Sequence, residues 1–144
     1  LSVDDSTHRL EIILFSDVYE KYRDLIKENE ILFFSGVIAM DDYNGDLSMK
    51  ATKVIDMDSA RQQYSKEIEI FILPEHINDN ILARIVHLLE PHKNGKCPLT
   101  IKCLSNQHIV PLELDNEWLI NPSSTLINGL SDLLGKENII VKYE

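Results

Sequence analysis

A chain of 144 residues, 44% hydrophobic and 26% charged, holds enough apolar matter for one ordinary core or two small ones, so more than two domains are excluded. Its longest uncharged apolar stretch, Ile31 to Met40, is about half of the roughly 20 residues a bilayer-spanning helix needs, and no basic start leads into an apolar run with a cleavage site; a cytoplasmic protein without membrane contact is expected. A formal charge of -10 excludes a general polyanion binder, because nucleic-acid affinity comes mostly from Lys and Arg neutralising phosphates, and any DNA contact has to be local and weak.

The first predicted element is a mostly buried strand from Arg9 to Phe15. Ser16 or Asp17 then caps a helix through Val18, Tyr22, Leu25 and Ile26 that stops near Asn29. Ile31 to Met40 and Leu47 to Met57 read as two strands joined through Asp41-Asp42-Tyr43-Asn44-Gly45-Asp46, whose Asn-Gly pair suits a turn with positive φ. In the second of them Leu47, Met49, Ala51, Lys53 and Ile55 fall on one face and Ser48, Lys50, Thr52 and Val54 on the other, the alternation of a half-buried strand. Asp58 or Ser59 caps a short helix to Tyr64, where the pattern changes and the domain boundary is expected.

The second region opens with a strand, Glu67 to Leu73, after which Asn78 or Asp79 caps a helix with Ile81, Leu82, Ile85, Leu88 and Leu89 as one apolar stripe, ended by Pro91. Strands Pro98 to Leu104 and His108 to Leu114 flank Ser105-Asn106-Gln107, and Trp118-Leu119-Ile120 is a short third. Asn121-Pro122 starts a helix that carries Leu126, Ile127, Leu130, Leu133 and Leu134 inward as far as Gly135, before the closing strand Asn138 to Tyr143. This order predicts a small α+β sandwich of ferredoxin-like type, with both helices on one face of a mainly antiparallel sheet.

Residues with chemical capacity are scattered. Cys97 and Cys103 fall six residues apart on one predicted strand, on the same face and too far apart for a disulfide, so they read as reduced. Two cysteines and five histidines show no CxxC, HxxxH or HxE pairing, so neither a metal nor a cofactor is expected. Asp41 and Asp42 look like paired metal carboxylates, yet adjacent residues beside Asn-Gly more often cap and solvate a turn. The alternative of an unrelated small nucleotide-binding protein or enzyme lacks a phosphate-cradling GxGxxG or GxxxxGK loop. His76, His87, His92 and His108 show no triad spacing, although such groups can meet in three dimensions. No catalytic residue is expected.

Taken in order, the segments resemble a known family. Arg-Leu-Glu-Ile-Ile-Leu-Phe-Ser-Asp-Val-Tyr-Glu-Lys-Tyr from Arg9 to Tyr22, and Ser35-Gly36-Val37 followed by Asp41 to Ala51, are similar to the C-terminal OB-fold of the bacterial DNA polymerase III alpha subunit. The likeness continues through Val54 to Arg61, Leu88-Leu89-Glu90-Pro91-His92 and Trp118-Leu119-Ile120-Asn121-Pro122-Ser123 to the last residue. OB-folds recur widely; the ordered series with matching spacing makes the resemblance specific. It implies a parent subunit that is a DNA-directed DNA polymerase, a nucleotidyltransferase of DNA replication, whose active site lies upstream. In the proteobacterial form it further implies that the region after the OB-fold docks the tau subunit of the clamp loader. By the same comparison the first OB strand and most of the second precede Leu1, so residues 1–8 are expected to be disordered or to need a partner chain over an open edge. The expected fold is thus α+β, an incomplete OB-fold β-barrel segment over residues 1–63 followed by a ferredoxin-like α+β sandwich over 64–144.

The resemblance also sets the candidate sites. In an OB-fold, single-stranded nucleic acid crosses one sheet face, where aromatics stack on bases and basic side chains track phosphates. That nominates Phe33, Tyr43, Lys50 and Lys53; Phe33 and Phe34 point to opposite faces, so only one of them can stack. Residues 1–63 carry seven Lys or Arg against thirteen Asp or Glu, and the remainder seven against eleven, so neither half is a basic module and DNA binding is expected to be weak. A tau contact needs an apolar or aromatic anchor in a polar rim, for which the candidates are Trp118 and, on the last helix, Leu126, Leu130 and Leu133. The family is associated with a sliding-clamp contact near its end, a Gln followed by alternating apolar positions and an aromatic. Asn138, Ile139, Val141 and Tyr143 match it imperfectly, and the competing reading is a core-facing closing strand.

Overall fold

Residues 1–40, 45–105 and 108–144 are described by the computed structural model of the chain. They form two units, Leu1–Met57 and Asp58–Glu144, each organised on its own four-stranded sheet.

In the first unit β1 (Ser2–Asp4) and β2 (Arg9–Leu14) make an antiparallel hairpin. Its turn is held by Asp5, whose carboxylate accepts from the Thr7 hydroxyl at 2.5 Å and from the backbone N–H groups of His8 and Thr7 at 2.8 and 2.9 Å. Those donors, the Thr7 hydroxyl foremost, bring the Asp5 carboxyl pKa down to about 2. The disorder expected of residues 1–8 is thereby corrected: one carboxylate satisfying three donors turns a polar lead-in into a strand end.

The helix α1 (Ser16–Tyr22) begins with Phe15 in the cap position and stops before the predicted Asn29, which instead takes φ +63 ahead of the next strand. β3 (Leu32–Met40) and β4 (Leu47–Asp56) pair antiparallel, β4 also pairs in parallel with β2, and the sheet order is β1-β2-β4-β3. Of the residues predicted to turn between them, Asp41 to Asp46, the first four lie outside the described residues, and Gly45 takes the predicted positive φ, +75.

The β3–β4 ladder slips by one residue. Ser35 faces Lys53 but Gly36 faces Ala51, so Thr52 is an extra residue whose hydroxyl donates to the Ser35 carbonyl at 3.2 Å. The uninterrupted alternation predicted for β4 is corrected by this bulge. Ala51 and Val54, three apart, are both buried, and together with Ile12 of β2 they form the small core of this unit.

α2 (Met57–Tyr64) leads into the second unit, followed by β5 (Ser65–Ile72), α3 (Ile81–Leu89), β6 (Lys93–Cys97), β7 (Leu99–Leu104), β8 (Ile109–Glu113), α4 (Ser124–Leu134) and β9 (Ile139–Tyr143). The sheet order is β8-β7-β5-β9, with β5 parallel to β7 and both outer pairs antiparallel. The α+β class is observed, but the strand order departs from the ferredoxin-like one. There the third strand lies beside the first; here β7, the first ladder strand after α3, holds that place and β8 is the edge. Residues 73–98, which include α3 and the unforeseen β6, give a crossover long enough to return β7 parallel to β5.

Ile68, Ile70 and Ile72 on one face of β5 pack with Leu99 and Ile101 of β7, with Ile81, Ile85 and Leu89 of α3, and with Leu126, Leu130 and Leu134 of α4. Each side chain so buried contributes on the order of 1.5–3 kcal/mol. The other face of β5 carries Glu67 and Glu69. Glu69 accepts from Lys102 at 2.5 Å and from Lys142 at 2.7 Å, while Glu67 accepts from Thr100 and Lys142 at 2.8 and 2.9 Å.

α4 begins later than Asn121-Pro122 predicts. The Asn121 N–H is taken by the His92 carbonyl at 2.8 Å, and Ser123 becomes the cap, its hydroxyl accepting from the Leu126 N–H at 3.2 Å. Asp58, predicted as a cap of its own helix, contributes here as well, accepting from the Ser124 N–H and hydroxyl, each at 2.7 Å. No helix among the described residues is long and apolar enough to cross a membrane.

Candidate functional site

On the first sheet, Phe33, Ser35 and Val37 of β3 lie opposite Ile55, Lys53 and Lys50 of β4, and Lys50 also sits beside Ile13 of β2. The bulge at Thr52 therefore places Lys50 and Lys53 on one face with Phe33, which is 42% exposed, and Val37. Straight alternation would have split the two lysines. The signal for this was Gly36 within a strand: a Cβ there would lie 2.1 Å from the Lys50 carbonyl oxygen, and such a close approach often marks a bulge. Tyr43, the remaining candidate of this face, lies outside the described residues.

On the second unit, the candidates for a partner contact separate. Leu126 and Leu130 are 1% and 0% exposed inside the core, so neither offers area to a partner while the unit is folded. That corrects their nomination: the inward stripe of an amphipathic helix is consumed by its own sheet. Trp118 ends a 3₁₀ turn, Asn116–Trp118, and not a strand; it packs partly buried at the core margin with the Lys93 ammonium 3.7 Å from its ring centroid. Leu133 is partly buried and lines a groove of about 500 Å³ between α3 and α4, together with Ala83, Leu88 and Gly129. Arg84, His87 and Asp132 stand along that groove. It was not foreseen from the sequence.

The C-terminal candidates are parts of the closing strand. Asn138 is buried and its amide donates to the Leu134 carbonyl at 2.7 Å, while Ile139 and Val141 stand opposite Ile70 and Ile68 of β5. Tyr143, 51% exposed, is the one of the four with substantial free surface.

Cys97 is buried in β6 and Cys103 lies in β7, so the single strand predicted to hold both is two, and both are free thiols. Burial pushes the Cys97 thiol pKa up to about 11, which keeps it protonated and unreactive at neutral pH. No group of three or more His, Cys, Asp or Glu converges in a metal-binding arrangement among the described residues.

Comparison with known proteins places these surfaces in a family context. Residues 84–135 match the model described as DNA polymerase III subunit alpha, C-terminal domain. Over 143 residues, 99% of the chain, the sequence is 34% identical to DNA polymerase III subunit alpha of Escherichia coli K12 and 33% identical to that of Vibrio cholerae serotype O1. The Pasteurella multocida subunit is 25% identical over the same length. The chain spans 12% of the length of each of these relatives.

Proposed function

The chain is a homologue of the DNA polymerase III alpha subunit, and from that relationship we propose that it is a binding and assembly region of a replicative polymerase, with no chemistry of its own. The second unit docks the tau subunit of the clamp loader. The first unit guides single-stranded template across the face that carries Phe33, Lys50 and Lys53. The observation that carries the reading is the match of residues 84–135, which cover most of α3 to α4, to the C-terminal domain of that subunit. The order β1-β2-β4-β3, with its single parallel pair, is also the order an OB-fold barrel has when its first strand is left out, which supports the nucleic-acid role of this unit.

Calorimetric titration of the 144-residue chain with the tau C-terminal domain tests the docking role; absence of binding sinks it. Single-stranded DNA is bound weakly, because two lysines work against a formal charge of -10. A submicromolar affinity at physiological salt would show that the local patch outweighs the net charge. For the sliding clamp the support narrows to Tyr143, and a pull-down unchanged by Tyr143→Ala removes this segment as a contact. Metal-dependent nucleotidyl transfer by the chain alone would contradict the binding-module reading.

A further inference from the structure

In the second unit α4 packs against β9 at one edge of the sheet, and β8 forms the opposite edge. Val110 and Leu112 of β8 stand opposite Cys103 and Ile101 of β7, so they point to the side of the sheet that carries the helices. They nevertheless stay 50% and 44% exposed. On α3, Arg84 and Leu88 face the groove to α4, which turns Leu82 and Val86 to the other flank, toward β8, where they are 55% and 41% exposed. These four aliphatic side chains line a trough between α3 and β8, on the far side of α3 from the groove to α4.

Backbone chemistry and charge select what fits there. Pro111, between Val110 and Leu112, has no N–H. A ladder accommodates proline where that N–H would have pointed outward, so the free edge of β8 lacks the central donor a further strand would need. A helix needs no such donor, because its backbone groups bond to one another, and Leu82 and Val86 step about 6 Å along α3, the spacing of i and i+4 side chains on a facing helix. The same flank of α3 reads Asp79, Leu82, Val86, Glu90, an aliphatic pair with a carboxylate about one turn beyond each end. Asp79 has no cation in ion-pair range among the described residues, and the Lys93 ammonium, 3.1 Å from Glu90, also sits over the Trp118 ring, which leaves the frame net negative. Such a frame repels acidic surfaces and complements lysines or arginines. A second copy of this chain does not supply the match: α3 and α4 turn their apolar stripes into the core, and α1 and α2 hold at least as many carboxylates as cations.

We infer that the trough between α3 and β8 seats a basic amphipathic helix of a partner protein, whose apolar stripe covers Leu82, Val86, Val110 and Leu112 while its cations meet Asp79 and Glu90. This deepens the docking role of the second unit and rests on it. The test is calorimetric titration of the tau C-terminal domain into the 144-residue chain and its variants. Val86→Lys and Leu112→Lys each put a cation in place of an aliphatic contact and are expected to weaken binding about tenfold or more. Ile109→Lys, at a position 60% exposed on the opposite face of β8, is expected to bind within about twofold of the unaltered chain. Asp79→Asn binds more weakly at low salt and converges on the unaltered chain at high salt, where the charge contact is screened. Circular dichroism melts separate lost binding from lost folding, and Leu82→Lys decides the matter if Leu112→Lys does not fold. Binding of Val86→Lys and Leu112→Lys as tight as that of the unaltered chain overturns the trough and leaves tau docking standing. A loss with Ile109→Lys equal to that with Leu112→Lys points to strand addition along β8 and also overturns it. Failure of the unaltered chain to bind overturns tau docking, and the trough assignment with it.

Discussion

A methyl group on Gly36 would lie 2.1 Å from the Lys50 carbonyl oxygen, far inside van der Waals contact with a backbone atom that cannot swing aside. Gly36→Ala is therefore expected to destabilise the first unit by about 1–3 kcal/mol, the range of overpacked sites. Faster hydrogen exchange of the β3 amides would report it, and unchanged exchange would mean the bulge does not need glycine. Phe33 tests a different property of the same strand. At 42% exposure it contributes little to the core, so Phe33→Ala is expected to leave the melting temperature nearly unchanged while weakening single-stranded DNA binding by about 1–3 kcal/mol, the worth of one stacked base. Fluorescence anisotropy with labelled oligonucleotide measures that loss; equal affinity removes Phe33 from the interface. At this scale the sequence named the residues but not their partners. Phe33, Lys50 and Lys53 were legible as candidates, whereas their convergence depends on one extra residue, Thr52, which no period-two pattern contains.

For the helices, the question is where each begins and which face it spends on the core. The start of α4 is fastened twice, by the Ser123 hydroxyl on the Leu126 N–H and by the Asp58 carboxylate on the Ser124 N–H and hydroxyl, with Arg61 donating to Asp58 at 3.3 Å and to Ser124 at 2.5 Å. Ser123→Ala is expected to cost about 0.5–2 kcal/mol, as N-cap losses do, and Asp58→Ala a similar amount. Urea denaturation followed through Trp118 emission checks both; a cost near zero for Asp58→Ala would mean water replaces the carboxylate without penalty. The existence and inward stripe of α3 and α4 were readable, because apolar spacing reflects the burial it produces. The start of α4 was not, since Asn121-Pro122 and Ser123 are both acceptable openings and the choice is made by the His92 carbonyl, 29 residues earlier, taking the Asn121 N–H.

Across the second unit as a whole, the polar face of the sheet sets the response to pH. Hydrogen bonds from Lys142 and Thr100 hold the Glu67 carboxyl below its ordinary 4.5, and those from Lys102 and Lys142 do the same for Glu69. The two carboxylates in turn raise Lys142 above 10.5. A depressed carboxyl adds stability that is present above its unfolded pKa and lost as pH falls through the folded value; a raised ammonium adds stability that is full below its unfolded pKa and lost as pH rises past the folded one. The melting temperature is therefore expected to be flat through neutrality and to fall on both sides. Glu69→Gln should lower it at neutral pH and make the acid limb shallower; an acid limb of unchanged slope would show that the pairs do not couple to folding. Of the whole molecule, the sequence by itself determined the α+β class, the acidic composition, the approximate elements and the family resemblance, because burial and turn chemistry leave local periodic marks. Only the tertiary structure decided the strand order of the second sheet, the common face of Phe33, Lys50 and Lys53, the loss of Leu126 and Leu130 to the core, and the groove between α3 and α4. Each of these depends on contacts between residues distant in the chain, and a pattern read along one strand or one helix does not record which neighbour it will meet.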